Sequence, residues 1–303
     1  MPLISLTADD ATVDVAPAIG GAIAAFRHGG RDVLRPTPPA ALAAGEVRQL
    51  ACYPLVPYSN RIAHATLRAG DRTFALARNF GDHPHAIHGL GWQRAWRAEF
   101  IDDRHALLEL EHVPAGDAAA AWPFAFVARQ AFALRHDGDA AALTLTLSIE
   151  NRDARAFPFG LGWHPFFPRN AATELRFDAG SFWETEATRL PTARLDIPAA
   201  SRFDAARVIG DTRLDNVFAG WRGDAEVRWP DQRRRATIEA DRGMTFLVVF
   251  IPDDRDYLAI EPVTHMTDGF NRFALGERET GTMVLAPAQS RSCTMRIVSA
   301  PIR

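Results

Sequence analysis

Five segments of this chain place polar side chains beside glycine, proline or tryptophan, where an ordinary strand would alternate polar and apolar residues. They are residues 57–62, 83–92, 160–167, 214–221 and 259–265. Residues of these types can bind hydroxyl groups, move protons or hold a metal ion. These segments are therefore the first candidates for a functional site.

The segment 83–92 contains three histidines whose spacing could suit a metal ion. In an extended strand His83 and His85 share one face, whereas His88 points to the other, and no nearby carboxylate completes a ligand set. We therefore expect no metal site here. We expect a structural or surface role for His83 and His85, and a contact with substrate for His88.

Two residues are best suited to acid and base chemistry. His164 lies between Trp163 and Phe166, where an apolar surround makes the pKa of an imidazole sensitive to its neighbours. Glu261 ends an apolar run, and a carboxylate there is costly unless it has partners or a function. The alternatives are a core histidine bonded to a backbone carbonyl and a glutamate paired with an arginine.

Further polar and aromatic residues suggest contacts with a ligand. Asn60 and Arg61 would place donors over a ligand oxygen, and Asp215 would accept hydrogen bonds from hydroxyls. A solvated arginine and an aspartate that starts a turn are the alternatives. Tryptophan side chains could stack on a sugar ring or pack in the core. The candidates are Trp92, Trp96, Trp163 and Trp221.

The composition excludes several classes of function. All 34 cationic residues are arginines, so lysine Schiff-base catalysis and Walker-type phosphate loops are excluded. A net charge of −3 argues against a nucleic-acid partner. No run approaches the roughly 20 apolar residues that a membrane helix needs.

The compartment is predicted from two weaker features. No basic and apolar export pattern precedes Asp9 and Asp10. Cys52 and Cys293 are too few for a disulfide framework, although one bridge between them remains open. We expect a cytoplasmic protein.

The elements that must position these segments are mainly strands. Residues 143–149 alternate leucine or isoleucine with threonine or serine, which is the period of a strand with one buried face. Helical candidates at 39–50 and 200–206 are short and rich in alanine. We predict a mostly β fold, a single large antiparallel β-sandwich. Further strands are predicted at 73–76, 106–110, 125–134, 245–251, 257–261 and 294–298.

Taken in order, the polar segments resemble the aldose 1-epimerase (galactose mutarotase) family. Within it, the motifs are most similar to a bacterial subgroup of poorly defined substrate. The resemblance rests on Ser-Asn-Arg-Ile, His-Ala-Ile-His-Gly, Gly-Trp-His-Pro-Phe-Phe, Asp-Asn and Ile-Glu-Pro-Val-Thr at residues 59–62, 85–89, 162–167, 215–216 and 260–264.

The resemblance implies a galactose mutarotase-like supersandwich over residues 1–303, which acts as an isomerase of hexose anomers without metal or cofactor. Glu261 would be the general base and His164 the general acid. The partner would be a small monosaccharide, and the protein would be a monomer or homodimer. The residues that contact the substrate would be Asn60, Arg61, His88, Phe166 and Asp215.

Two departures from the family pattern leave the sugar open. Phe166 stands where many members have tyrosine, and Pro168-Arg169 replaces a common Asn-Leu pair. Two alternatives to a hexose mutarotase are a noncatalytic carbohydrate-binding or sensor protein and a hexose-6-phosphate mutarotase. A glycosidase is disfavoured, because it needs two catalytic carboxylates and gives the motif histidine no role.

Overall fold

Strands dominate the computed structural model, which describes residues 2–302. They hold 48% of the residues, against 10% in helices, which confirms the prediction of a mostly β fold. The first strands are β1 (Ile4–Ala8), β2 (Ala11–Ala16), β3 (Ala22–His28), β4 (Arg31–Asp32), β5 (Pro54–Leu55), β6 (Arg61–Ile62), β7 (Thr66–Ala69), β8 (Arg72–Ala75) and β9 (Ala86–Ile87). The next are β10 (Arg97–Ile101), β11 (His105–His112), β12 (Phe126–Asp137), β13 (Ala140–Asn151), β14 (Phe157–Phe159), β15 (Gly162–Trp163), β16 (Phe166–Pro168), β17 (Glu174–Phe177) and β18 (Ser181–Thr185). The last are β19 (Pro191–Leu195), β20 (Arg207–Val208), β21 (Leu214–Ala219), β22 (Asp224–Trp229), β23 (Arg234–Ala240), β24 (Phe246–Ile251), β25 (Tyr257–Val263), β26 (Met283–Leu285) and β27 (Ser290–Pro301).

The strands form two large antiparallel sheets and several small ones. The nine-stranded sheet has the order β10-β11-β12-β13-β27-β23-β22-β17-β20. The eight-stranded sheet has the order β19-β18-β21-β24-β25-β15-β5, with β16 paired to β25. A four-stranded sheet, β1-β2-β3-β4, and the pairs β6-β9, β7-β8 and β14-β26 complete the architecture.

Each predicted strand lies within or overlaps an observed one. The run 143–149 is the centre of β13, which pairs with both β12 and β27. Its buried leucines alternate with half-buried threonines because one face of the strand is buried. A turn at residues 137–140 closes the β12-β13 hairpin, with Gly138 at φ 62°. Strand ends differ from the prediction by a few residues, because pairing extends beyond the alternating core.

The helical candidates are shorter than their sequence suggested. Helix α1 (Pro39–Ala44) ends at Gly45, whose left-handed φ of 71° separates it from a 3-10 turn at Val47–Gln49. In the segment 200–206 only the 3-10 turn Ala199–Ser201 forms. The remaining helices are α2 (Ala118–Ala121) and α3 (Gly269–Ala274). Within residues 2–302, no helix has the length and apolar character needed to cross a membrane.

Strands β21, β24 and β25 align the two predicted carboxylates on one face of the eight-stranded sheet. Asp215 of β21 pairs with Phe250 of β24, and Glu261 of β25 pairs with Val248 of β24. Paired residues share a face, as do residues two apart along a strand. Asp215 and Glu261 therefore project from the same face, on either side of β24.

Both cysteines are buried in the folded chain and neither forms a disulfide. Burial raises the pKa of both thiols. Cys52 and Cys293 are therefore core residues, and the bridge that the sequence left open does not form.

Candidate active site

A cleft of about 390 Å³ lies on the face that carries Asp215 and Glu261. Its volume lies within the range of sites for small organic ligands. The fold brings together residues that are up to two hundred positions apart in the sequence. All of the site residues predicted from the sequence line this cleft: Asn60, Arg61, His88, His164, Phe166, Asp215 and Glu261.

Glu261 and His164 form a buried pair at the base of the cleft. The Nε2 atom of His164 lies 3.2 Å from Oε1 of Glu261, and both side chains are less than 10% exposed. The other polar atoms of the pair, Oε2 of Glu261 and Nδ1 of His164, have no hydrogen-bond partner in the described protein. A ligand hydroxyl can therefore donate a hydrogen bond to Oε2 of Glu261 without displacing a protein group.

Burial determines the protonation of this pair. It raises the pKa of Glu261 well above its ordinary value, with a further contribution from the charge of Asp215. It also lowers the pKa of His164 well below 6.5, with further contributions from His88 and Arg35. Both shifts disfavour charge in the unliganded cleft. One proton shared across the 3.2 Å contact leaves the pair without net charge.

Asn60 and His88 hold each other in unusual backbone conformations. Both have positive φ, 55° and 62°, where few residues other than glycine are found. The amide of Asn60 donates to Nδ1 of His88 at 3.0 Å, and the amide of His88 donates to the carbonyl of Asn60 at 2.8 Å. Because Nδ1 accepts this bond, the proton of the neutral ring is on Nε2. Burial lowers the pKa of His88 to about 3, so the ring is a neutral donor.

Arg61 connects this loop to the sheet. Its guanidinium donates to Oδ1 of Asn60 at 2.9 Å and to Oδ2 of Asp215 at 3.3 Å. Arg189 also approaches the Asp215 carboxylate, at 3.6 Å. Asp215 is therefore oriented by two arginines, and Arg61 is oriented by two acceptors. The cleft obtains a fixed donor and a fixed acceptor close to the pair of Glu261 and His164.

The aromatic surfaces of the cleft come from residues other than the four candidate tryptophans. These tryptophans are all at most 4% exposed and none lines the cleft, so of the two alternatives, stacking on a sugar and packing in the core, the structure shows the second. They fill the core because their large rings bury more apolar area there. The rings that line the cleft are Tyr53, Phe80, Phe166, Phe250 and Tyr257.

Two of these rings frame the imidazole of His164. Phe166 lies 4.3 Å and Tyr53 lies 4.7 Å from it, measured between ring centroids. Arg35 also packs on Phe166, with its guanidinium carbon 3.8 Å from the ring centroid. Tyr257 could have been found from its period-two spacing with Glu261 on β25. Tyr53 precedes the first polar segment and carries no comparable pattern.

The other histidines of the polar segments divide between the cleft and the core. His83 lines the cleft, rather than having only the structural or surface role expected for it. His85 is buried, and its ring nitrogens contact the amide of His64 at 2.9 Å and Oγ1 of Thr188 at 2.8 Å. His265 accepts from the amide of Ser59 at 3.1 Å and thereby supports the loop before Asn60.

The geometry also bears on metal binding. His83, His85 and His88 do not form a ligand set, because both nitrogens of His85 are engaged. A different group in the cleft, His88, His164 and Glu261, has ligand atoms within 4.8 Å of one another. These three residues are the ones that could hold a metal ion in the cleft.

Comparison with known proteins agrees with the fold and with the family resemblance. The family model for aldose 1-epimerase matches residues 2–298. The uncharacterized protein YphB of Escherichia coli (strain K12) is 27% identical over 305 residues, which cover 98% of each chain. The uncharacterized protein YihR of the same strain is 22% identical over 276 residues, covering 88% of this chain and 85% of YihR.

Solved structures show the same architecture. A galactose mutarotase-like protein from Clostridium acetobutylicum superposes with a TM-score of 0.83 at 19% identity, covering 98% of this chain and 94% of that one. The galactose 1-epimerase of Lactobacillus acidophilus NCFM superposes with a TM-score of 0.76 at 16% identity, covering 99% and 94%. At these identities the likeness concerns the fold, which is the galactose mutarotase-like fold. With the family model spanning nearly all of its length, the chain belongs to the aldose 1-epimerase family.

Proposed function

We propose that this protein is an aldose 1-epimerase that interconverts the α and β anomers of a hexose, with Glu261 as general base and His164 as general acid. The observation that carries the proposal is their 3.2 Å contact at the base of a cleft large enough for a monosaccharide. Membership of the family supports the reaction class, isomerisation of a small sugar.

The proposed reaction opens and closes the sugar ring. Glu261 removes the proton from the anomeric hydroxyl while His164 protonates the ring oxygen, so the bond between the anomeric carbon and the ring oxygen breaks. The aldehyde formed rotates, and closure on its other face returns each proton to its donor. No group is consumed, and no electron acceptor is required.

The protonation of the pair fits this cycle. Before ring opening the one shared proton is on His164, and Glu261 is a carboxylate. After ring opening His164 is neutral and Glu261 is protonated, which is the distribution that burial favours in the unliganded cleft. Sugar hydroxyls that donate to Glu261 would stabilise its charged form and prepare the pair for the first step.

The remaining groups would hold the sugar. Arg61 and the neutral Nε2–H of His88 supply donors, and Asp215 supplies an acceptor for hydroxyls away from the reacting carbon. Asn60 orients Arg61, and Phe166 offers an apolar face to the ring. Removing the neutral hydrogen bond of His88 would cost about 0.5 to 1.5 kcal/mol, and removing one to charged Arg61 or Asp215 about 1.5 to 3 kcal/mol.

The proposal includes three further points. Residues 1–303 would act as one catalytic domain in the cytoplasm, and a small monosaccharide would be the substrate. Catalysis would need no metal or other cofactor, although His88, His164 and Glu261 could hold an ion. Activity that survives dialysis against a chelator would support this last point. Loss of activity, restored by a divalent ion, would contradict it.

Polarimetry tests the function. Freshly dissolved α-D-glucose and α-D-galactose should approach their equilibrium rotations faster with the enzyme than without it. His164→Gln should remove the acceleration, because the general acid is absent, whereas binding of the sugar should persist. If the His164→Gln protein accelerates exchange as well as wild type, the catalytic assignment is wrong. Sugar binding with no acceleration by wild type for any aldose would favour a noncatalytic binding or sensor protein.

A second candidate, a mutarotase for an anionic sugar such as a hexose 6-phosphate, is favoured by an arginine-rich cleft beside the first. It has a volume of about 930 Å³ and shares Arg48, Gln49 and Tyr257 with the candidate active site. Two carboxylates, Asp32 and Asp256, also line it. Its arginines are Arg31, Arg35, Arg48, Arg169, Arg234 and Arg255.

The charge of these arginines is only partly neutralised. Arg35 donates to the carbonyls of Arg48 and Leu50 at 2.9 and 2.7 Å, and Arg169 donates to two further carbonyl oxygens. Hydrogen bonds to carbonyls fix a guanidinium but leave its charge available to an anion.

Comparing glucose with glucose 6-phosphate separates the two candidates. For a phosphosugar enzyme, Arg48→Gln should lower kcat/KM for the phosphorylated sugar about 10- to 100-fold, the effect of one charge-assisted hydrogen bond, and leave glucose unaffected. Equal kcat/KM for both sugars in wild type, unchanged by Arg48→Gln, would contradict the second candidate.

A further inference from the structure

A cluster of two histidines and one aspartate lies outside both clefts. Asp10 is in the turn between β1 and β2, His28 ends β3, and His136 lies near the end of β12. The three side chains present ligand atoms within 4.8 Å of one another. The two imidazoles are 12% and 16% exposed, and Asp10 faces solvent, so the cluster is open on one side.

The distances in this cluster suit a tetrahedral metal ion. The Nε2 atom of His136 lies 2.9 Å, and the Nε2 atom of His28 lies 3.6 Å, from the same oxygen of Asp10. Zinc bound to nitrogen and oxygen at about 2.0 to 2.1 Å in a tetrahedron separates its ligand atoms by roughly 3.3 Å. The two distances lie on either side of that value, so small side-chain rotations would complete the geometry.

The second nitrogen of each imidazole already has a partner. The Nδ1 atom of His28 lies 3.0 Å from Oγ of Ser299, and the Nδ1 atom of His136 lies 3.4 Å from a carboxylate oxygen of Asp9. Metal-binding histidines almost always donate their other N–H to such a group, which fixes the tautomer and turns the free nitrogen toward the metal. Here both rings turn Nε2 toward Asp10.

We propose that Asp10, His28 and His136 bind a divalent transition-metal ion of the zinc type. Two imidazole nitrogens and one carboxylate oxygen are ligands for Zn²⁺ and its neighbours, whereas Mg²⁺ and Ca²⁺ require mostly oxygen ligands. The nearby carboxylate of Asp139 adds negative charge, and Arg234 opposes it in part. Solvent would occupy the fourth position.

The bound ion would join two sheets of the fold. Asp10 and His28 belong to the four-stranded sheet with its connecting turn, and His136 belongs to the nine-stranded sheet. Ser299, the partner of His28, is on β27 of that same large sheet. Metal binding should therefore stabilise the contact between the amino-terminal sheet and the large sheet, independently of the candidate active site.

Calorimetric titration of the chelator-treated protein with ZnCl₂ tests this inference. We expect one site that is lost in His28→Gln and His136→Gln. Ser299→Ala and Asp9→Asn should bind about 10- to 100-fold more weakly, the usual effect of removing a group that orients a ligand. His105→Gln is the matched control, because His105 also pairs with an aspartate, Asp102, at 3.1 Å but has no third ligand among residues 2–302.

A second control separates this cluster from the cleft. Glu261→Gln removes a ligand from the group formed by His88, His164 and Glu261, and should leave the zinc titration unchanged. Thermal unfolding should show a zinc-dependent rise in Tm in wild type and in His105→Gln, but not in His136→Gln. Absence of zinc binding in wild type, or binding that survives both histidine substitutions, would overturn the proposal. So would binding lost only in Glu261→Gln.

Discussion

Replacing His88 by alanine or by asparagine tests how the first loop of the cleft is held. The imidazole Nδ1 accepts the Asn60 amide at 3.0 Å, and His88 has a φ of 62°. Alanine removes the acceptor and tolerates a left-handed backbone poorly. Asparagine also loses the ring but is among the residues that tolerate this conformation.

The expected losses of stability follow from the hydrogen bond to His88 and from its backbone conformation. A buried amide left without its acceptor costs about 1 to 3 kcal/mol. A non-glycine residue held in the left-handed region costs roughly 1 to 2 kcal/mol. Because wild-type His88 already carries this backbone strain, we expect His88→Ala to lower the free energy of unfolding mainly through the lost acceptor, by about 1 to 3 kcal/mol. His88→Asn should avoid the backbone term and be about 1 to 2 kcal/mol more stable than His88→Ala.

Urea unfolding of both variants measures these differences, and steady-state kinetics measures the lost donor. A neutral hydrogen bond worth about 0.5 to 1.5 kcal/mol corresponds to a loss of roughly 2- to 13-fold in kcat/KM. Equal stability of the two variants would refute the backbone argument. An imidazole of His88 that titrates near pH 6.5 by nuclear magnetic resonance would refute its assignment as a neutral donor.

Three further predictions concern stability. Burial holds the pKa of His88 at about 3 and that of His265 at about 4, below the 6.5 of the unfolded chain. Above pH 6.5 both rings are neutral in both states, and the full free energy of unfolding is retained. Between pH 6.5 and pH 4 the unfolded chain binds protons first, so the free energy of unfolding should fall by up to about 1.4 kcal/mol per pH unit for each residue. Urea midpoints that stay constant from pH 7 to 4.5 would contradict this. Arg155 holds the pKa of Asp153 at about 2. Asp153→Asn should therefore lower the free energy of unfolding by about 1 to 2 kcal/mol at pH 7. A loss that is smaller at pH 7 than at pH 3 would contradict this prediction. Gly160→Ala would place a methyl group 1.8 Å from the buried ring of His265 and should destabilise by about 1 to 3 kcal/mol or more. Gly180→Ala is the control, because its methyl group would lie 3.5 Å from the nearest atom, the carbonyl oxygen of Ala219, and its backbone is not left-handed. Equal Tm values for the two variants would show that the ring of His265 can move.

The sequence predicted long strands well because their physical cause is local. Residues 143–149 alternate because one face of β13 is buried, and that period can be read without knowing the neighbouring strands. The helix candidate 39–50 failed at Gly45, where the left-handed backbone ends the helix, and a propensity for helix in alanine cannot show this.

The catalytic pair was predicted from polar residues that are costly to bury. Glu261 in an apolar strand and His164 among aromatic residues are expensive to bury without a function, and both line the cleft. The aromatic lining could not be predicted in the same way. Tyr53, Phe80 and Phe250 look like core residues, and only the pairing of distant strands decides that their rings face the cleft while the tryptophans do not.

The arginine-rich cleft could not be predicted from the sequence either. Arginine is the sole basic residue type and is distributed along the whole chain, so no run of charge marks the six that converge. They converge because the fold brings together loops and the first residues of β4 and β23 from distant parts of the chain. Charge clusters formed in space, rather than along the chain, are visible only after folding.

Exchange spectroscopy of the sugar at equilibrium tests whether Glu261 takes the anomeric proton. The rate of α to β exchange would be measured with wild type, Glu261→Gln and the control Glu226→Gln, which alters another buried glutamate that pairs with Arg235 away from the cleft. We expect the exchange rate to fall about 10²- to 10⁴-fold in Glu261→Gln and to stay unchanged in Glu226→Gln. Wild-type exchange rates in Glu261→Gln would contradict this expectation.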